Sequence, residues 1–434
     1  MMEKNVIFCI DFKSFYASCE CIDRGLNPHT TKLVVADKQR GGGTIVLAVS
    51  PYLKSLGVPS RLRVFDLPKD DEIIFAKPRM SRYLEISSKA ISIFLDFVCK
   101  DDLHVYSVDE SFLNITPYIK LYKKTPIQLA EEIKAQIYNK LGLDVTIGIG
   151  PNLFLSKVAL DNEAKKNQNQ IACWTYSDVE SKLQLITPLS KIWSIGSQME
   201  KKLNKMGIYN LKDVSKTPKE FLIKEFGIIG GELHDHSNGI DTSNIREKYI
   251  TENHSISIGQ VLLKDYSIND IPILIREMLD DLLIRLRNEK SLARKVSLGI
   301  KYSKEINGGF SRQTQLINHT DDEDIIYSSL INLFNKYKDD YPIRGIYISL
   351  GSLLKAQHYQ PTLFSSIDSQ ERKRKLINTL DCIKKRFGVN AVFRGNQLLE
   401  ASNALERHNK IGGHARWKNR IHKEVWKNGN HLTL

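Results

Sequence analysis

The chain has 434 residues and carries 63 Lys and Arg against 50 Asp and Glu, a formal charge of +13. At 41% hydrophobic and 26% charged it has a globular composition, which excludes collagenous, mucin-like and wholly disordered chains, and the length suits about two to four domains. No apolar run approaches the roughly 18 residues a membrane helix needs, and six scattered cysteines make no disulfide framework, so a reducing, cytoplasmic setting and a polyanionic partner are expected.

Residues 5–11 read as a buried strand that ends in Asp11, and Ser14 is the expected N-cap of a helix reaching about Arg24. Apolar runs at 33–36 and 45–50 flank Gly41-Gly42-Gly43 as a hairpin with a flexible loop. A long helical pattern follows near 79–99, then strands at 103–107 and 111–115 with Asp109 and Glu110 at the turn between them. Thr125-Pro126 starts a helix that Gly142 closes, and strand 144–149 with a helix from Asn152 completes an α+β block. Short helices broken by Gly196, Gly207 and Gly227 occupy 188–240. A second α+β block has a helix from Pro272 to about Asn288. In its strand 295–302, Val296, Leu298, Ile300 and Tyr302 alternate with Lys295, Ser297, Gly299 and Lys301, and Ile346, Ile348 and Leu350 repeat that period. Beyond about 355 the pattern weakens into polar loop and a basic, helix-like tail.

The acidic strand ends carry the chemistry. Carboxylates at neighbouring strand ends converge, and clustered like charges are costly unless cations sit among them. Hard oxygen ligands suit Mg²⁺, and a pair of such ions stabilises both oxygens of an in-line phosphoryl displacement. An isolated Asp-Glu at a hairpin tip is, by itself, ordinarily a surface turn.

Three segments occur in order: Asp11-Phe12-Lys13-Ser14-Phe15-Tyr16-Ala17-Ser18-Cys19-Glu20, Tyr106-Ser107-Val108-Asp109-Glu110-Ser111-Phe112-Leu113, and Gly148-Ile149-Gly150-Pro151-Asn152-Leu153-Phe154-Leu155-Ser156-Lys157-Val158-Ala159. Together they closely resemble the Y-family translesion DNA polymerases of the UmuC/DinB type. The resemblance implies a multidomain α+β right-hand fold: palm 1–26 and 77–166 with a ferredoxin-like sheet, small fingers 27–76, helix–hairpin–helix thumb 167–242 and little finger 243–355. A clamp-binding linker at 356–370 and the basic tail 371–434 would follow. It implies an error-prone, template-directed polymerase using two Mg²⁺ ions, with Asp11, Asp109 and Glu110 as catalytic metal ligands together with the carbonyl of Phe12. Phe15, Tyr16, Lys54 and Lys157 would meet the nucleotide, Tyr16 being the steric gate against a ribose 2′-OH. Pro51 and Lys13 depart from the family pattern, and Lys13 is given no metal role.

The run Ile192-Trp193-Ser194-Ile195-Gly196-Ser197 resembles the thumb turn that offers N–H groups to a DNA phosphate, with Ser194 in place of the usual first glycine. Ser194, Gly196, Lys295 and Lys301 are thus the expected DNA contacts. Gln360-Pro361-Thr362-Leu363-Phe364 resembles the peptide that tethers bacterial polymerases to the sliding clamp, anchored by Gln360, Leu363 and Phe364. Primer–template DNA, dNTP, the clamp and an accessory protein are the expected partners, with no membrane. Two rival readings are an inactive DNA-binding accessory on the same fold and a nucleotidyl cyclase on a similar palm. Residues 371–434 hold 15 Lys and Arg against 5 Asp and Glu, so most of the positive charge resides there, as a solvated terminus, a hold on DNA or a docking segment.

Overall fold

The opening apolar run forms β1 (Ile7–Phe12) at the centre of a five-stranded sheet, with Phe8, Cys9 and Ile10 fully buried. The structure, a computed structural model, describes residues 5–247, 254–356 and 367–416. It divides into two units, Met1–Lys248 with Arg416–Leu434, and Tyr249–Ala415.

In the first unit α1 (Phe15–Ile22) follows β1 directly. Ser14 is not the side-chain cap expected: it sits at φ 50° and its buried hydroxyl has no protein partner, while Ser18 Oγ donates to the Lys13 carbonyl at 2.7 Å. A small three-stranded sheet comes next, with β2 (Leu33–Val35) between β3 (Ala48–Val49) and β4 (Ile74–Ala76), and α2 (Pro51–Ser55) after β3. Its β2–β3 pairing is the expected hairpin, extended by β4, which pairs in parallel.

The chain then re-enters the large sheet through α3 (Met80–Phe94), β5 (Leu103–Val105) and β6 (Glu110–Asn114). Beyond the short α4 (Ile119–Tyr122), α5 (Pro126–Leu141) begins with a capping box in which Thr125 and Gln128 satisfy each other's N–H groups. β7 (Val145–Gly150), α6 (Leu153–Ala159) and β8 (Ile171–Cys173) complete the sheet in the order β5-β6-β1-β7-β8. The first four strands of that order are those of a ferredoxin-like palm. Gly148 and Gly150 let α6 cross close to β7: a Cβ on Gly148 would stand 2.1 Å from the Ser156 carbonyl oxygen, and one on Gly150 2.5 Å from the Ser156 nitrogen.

Short helices follow in this unit: α7 (Asp178–Ser181), α8 (Ser197–Lys205), α9 (Leu211–Lys216), α10 (Lys219–Phe226) and α11 (Ile228–Ser237). Their core of Leu189, Ile192, Ile195, Leu203, Leu211 and Leu222 is continuous with Phe154, Leu155 and Val158 on α6. The segment after α11 is fastened back: Asn152 Nδ2 donates to the Gly239 carbonyl at 2.8 Å, and Arg246 pairs with the buried Asp102 at 2.7 and 2.8 Å.

In the second unit the sheet order is β11-β10-β12-β9, built from β9 (Ile256–Tyr266), β10 (Ser291–Tyr302), β11 (Gly309–Thr320) and β12 (Ile343–Gly351). Helices α12 (Ile271–Asn288) and α13 (Glu323–Tyr337) cover one face, and their core takes Val296, Leu298, Ile300 and Tyr302 as the alternation requires. The open face carries Lys295, Lys301 and Tyr347, the tyrosine ring lying against Gly259 and Gly345.

After β13 (Leu354–Lys355) comes α14 (Ile367–Phe387), then α15 (Ala404–Arg407) and the hairpin β14 (Lys410–Ile411) with β15 (His414–Ala415). This basic segment is packed on α12 and α13 by ion pairs. Arg287 meets Asp381 at 2.6 Å, Lys373 meets Asp322 and Asp324 at 2.9 Å each, and Arg407 meets Asp281 at 2.9 Å. Arg394 bridges Asp280 and Glu323. The peptide at 360–364 lies outside the described residues.

Candidate active site

Strand register brings the acids together. Asp11 at the end of β1 lies directly across from Glu110, which opens β6 rather than occupying the turn before it. Phe12 N–H donates to the Asp109 carbonyl at 3.0 Å, and the N–H groups of Tyr106 and Ser107 both donate to the Glu110 carbonyl at 3.0 Å. The three carboxylates therefore stand at one end of the sheet on backbone that is hydrogen-bonded on both sides. Ser107 Oγ further orients Asp109, donating to Oδ1 at 2.7 Å.

Two lysines sit among them. Lys157 Nζ meets Glu110 at 2.8 Å and Asp161 at 3.2 Å, and Lys165 Nζ meets Asp11 and Asp161, each at 2.7 Å. Burial raises the Asp11 carboxyl above its ordinary range, with Lys165 working against the shift. The four acids Asp11, Asp109, Glu110 and Asp161 exceed Lys157 and Lys165 by two negative charges, the deficit a divalent cation fills. The donor set of hard carboxylate oxygens suits Mg²⁺. Among the described residues no three acids, His or Cys are gathered at ligating distance, and Lys157 and Lys165 pair with Glu110 and Asp11.

The lysines differ in kind. Lys157 is buried under Glu110, on the side where Cys9 Sγ also contacts Glu110 at 3.3 Å. Lys165 is 41% exposed beside Asp11. It was missed in the sequence because the helix after α6 widens into a π turn over Leu160–Ala164, one extra residue that shifts the face on which the next side chain emerges. Lys54 lies exposed on α2 within electrostatic reach of Asp11 and Asp109. Its ammonium is lowered by the protein around it and by Lys165 and Lys13, and the two acids oppose that.

Tyr16 is half-buried on α1 and stacks on Tyr83 with ring centroids 4.6 Å apart. Burial, and secondarily the charge of Asp109, raise its phenol pKa, which places it next to the acids. Phe15 is buried between Phe12 and Tyr16, so its ring is core and only its backbone N–H is available to a nucleotide. The predicted thumb turn is present, with Ile195 N–H donating to the Ile192 carbonyl at 3.1 Å, Ser194 at φ 77° and Gly196 preceding α8.

Comparison with known proteins shows the family. The impB/mucB/samB family model matches residues 10–161, and the model of that family's C-terminal domain matches 253–363. The chain belongs to the Y-family of DNA polymerases. A thumb-domain model of DNA polymerase-iota matches residues 191–241, between the other two. UvrX of Bacillus subtilis, a protein named for UV-damage repair, is 37% identical over 414 residues, 95% of this chain and 97% of that protein. DNA polymerase IV 2 of the same organism is 33% identical over 421 residues, covering 95% of this chain and 100% of the relative. A Y-family DNA polymerase chimera has the same fold, with a TM-score of 0.65 at 20% identity over 80% of this chain and 99% of its own. With relatives named DNA polymerase IV over nearly the whole chain, the activity is that of a DNA-directed DNA polymerase.

Proposed function

We propose that this polymerase extends a primer 3′ end opposite damaged template by two-metal phosphoryl transfer and is held at the site of synthesis by the sliding clamp. The observation that carries the reading is the register pairing of Asp11 with Glu110, with Asp109 held beside it by the Phe12 N–H. Mg²⁺ ions held by Asp11, Asp109, Glu110 and the Phe12 carbonyl would lower the pKa of the primer 3′-OH and offset charge on the phosphates.

The chain's own groups do the rest. Tyr16 closes the space a ribose 2′-OH would need. The N–H groups that open α1, with the partnerless hydroxyl of Ser14, face no protein acceptor and suit a triphosphate. Lys165, half-exposed and paired with Asp11 and Asp161, and Lys54 are the ammonium groups that would meet those phosphates. Lys157 keeps Glu110 in place from below. In the second unit Lys295 and Lys301 support backbone contact with duplex DNA. Gln360, Leu363 and Phe364 are proposed as the clamp anchors, and the cytoplasm as the place of action.

Primer extension tests this. The wild-type protein should extend across a small lesion panel, and Asp109→Ala should not. Leu363→Ala with Phe364→Ala should abolish only the stimulation by clamp. Extension by Asp109→Ala, or clamp stimulation that survives the double change, would overturn the corresponding half of the proposal.

A further inference from the structure

Three aromatic rings join the thumb turn to the catalytic hairpin within the first unit. Trp193 Nε1 donates to Tyr106 Oη at 3.3 Å, and the two rings meet edge-on with centroids 5.8 Å apart. Phe112, fully buried, contacts both, at 5.8 Å from Tyr106 and 6.1 Å from Trp193. Each ring has a reason to matter to the acids. Tyr106 donates its backbone N–H to the Glu110 carbonyl at 3.0 Å. Phe112 is two residues beyond Glu110 on β6, so it projects from the same face. Trp193 is followed by Ser194, the residue at φ 77° that shapes the thumb turn. Packing alone does not require this arrangement, because the Tyr106 side chain is 48% exposed and adds little to the core.

We propose that Trp193 and Tyr106 are positioning residues forming a strut, so that the thumb's grip on the primer duplex and the placement of Asp109 and Glu110 are one coupled event. The inference rests on the reading of Asp109 and Glu110 as metal ligands. A turn drawn toward a DNA phosphate moves Trp193, whose hydrogen bond and ring contacts bear on Tyr106 and Phe112, which lie on either side of Glu110 along the hairpin. A misplacement of about 1 Å at groups that must hold a reacting geometry costs on the order of 100-fold in rate.

The test uses the full-length protein and measures kcat, the Mg²⁺ concentration for half-maximal rate, and duplex affinity for Trp193→Ala, Trp193→Phe, Tyr106→Leu and the Trp193→Ala/Tyr106→Leu pair. Trp193→Ala should lower kcat about tenfold and raise the Mg²⁺ midpoint about threefold, less than the roughly 100-fold that a misplacement of about 1 Å costs. Trp193→Phe should recover most of both, and the double variant should be no worse than the poorer single, as coupled residues require. An unchanged Mg²⁺ midpoint, or losses that multiply in the double variant, would overturn the strut. Should Trp193→Ala not fold, Tyr106→Leu, at a half-exposed site, must by itself shift the Mg²⁺ midpoint, and an unshifted midpoint sinks the proposal. Asp109→Ala serves as the separate control: if it still extends primers, the catalytic reading fails and not the strut alone.

Discussion

Tyr16 and Tyr83 stack at 4.6 Å with their planes 22° apart, and Tyr83 cannot yield. Its side chain is fully buried, and its hydroxyl donates to Glu20 at 2.7 Å, a buried carboxylate that also receives Arg79 at 2.7 Å and Arg24. A ring under the sugar discriminates only if it cannot retreat, and this network supplies the resistance. Tyr16→Ala should therefore admit ribonucleotides. Tyr83→Leu, which leaves the gate ring in place and removes its backing, should relax discrimination by about tenfold, or ~1.4 kcal/mol. Single-nucleotide incorporation with matched dNTP and rNTP measures both. Unchanged selection in Tyr83→Leu alongside relaxed selection in Tyr16→Ala would leave the gate standing without its backstop.

Lys157 and Lys165 should separate experimentally. Lys157 and Glu110 are 9% and 11% exposed, so Lys157→Ala strands a buried carboxylate and should cost on the order of 3 kcal/mol of stability, read as a lower Tm. Lys165 is 41% exposed and its loss should leave Tm nearly unchanged, while KM for dNTP rises. The reverse pattern would exchange their roles.

Asp102 predicts an acid-sensitive fastening. Arg246, with burial opposing it and Cys99 and Tyr118 assisting, holds its carboxyl down to about 2. The folded value lies below the unfolded one, so the stabilisation is present above about pH 4 and lost as pH falls toward 2. Asp102→Asn should lower Tm at pH 7 and flatten its decline between about pH 5 and 3, in a melting series across pH.

The basic C-terminal segment should contribute less to DNA binding than its charge suggests. Lys373, Arg394 and Arg407 are already paired with acids of α12 and α13. Arg394→Ala and Arg407→Ala should leave the salt dependence of duplex binding unchanged, where a phosphate contact would reduce its slope by about 1. Arg407→Ala should lower Tm, because Glu277 beside it is fully buried. Asp280 should act oppositely to Asp102. Burial raises its carboxyl to about 6, Glu323 adds to the shift, and Arg394, Lys384 and Arg276 oppose it. Its contribution is thus favourable in acid and is lost as pH rises through about 6, so Asp280→Asn should gain stability, relative to wild type, on going from about pH 5 to 7.

Local pattern alone determined a good deal of this molecule. The run ending in Asp11, the Thr125-Pro126 helix start and the alternation of Val296 to Tyr302 follow from side-chain period and capping chemistry, which act within a few residues. The order of the three motifs was enough to identify the family. Tertiary structure decided what depends on distant segments meeting. Glu110 became a strand residue because Asp11 lies across from it, and Lys165 reached Asp11 because of one extra residue in a π turn. Tyr83 came beneath Tyr16 and Trp193 onto Tyr106 across gaps of 67 and 87 residues that no periodicity spans. The opening charge is the clearest case: composition counts every lysine and arginine alike, whereas the folded chain assigns Lys373, Arg394 and Arg407 to acids of its own. Charge is a sum over the sequence, but pairing is a matter of geometry.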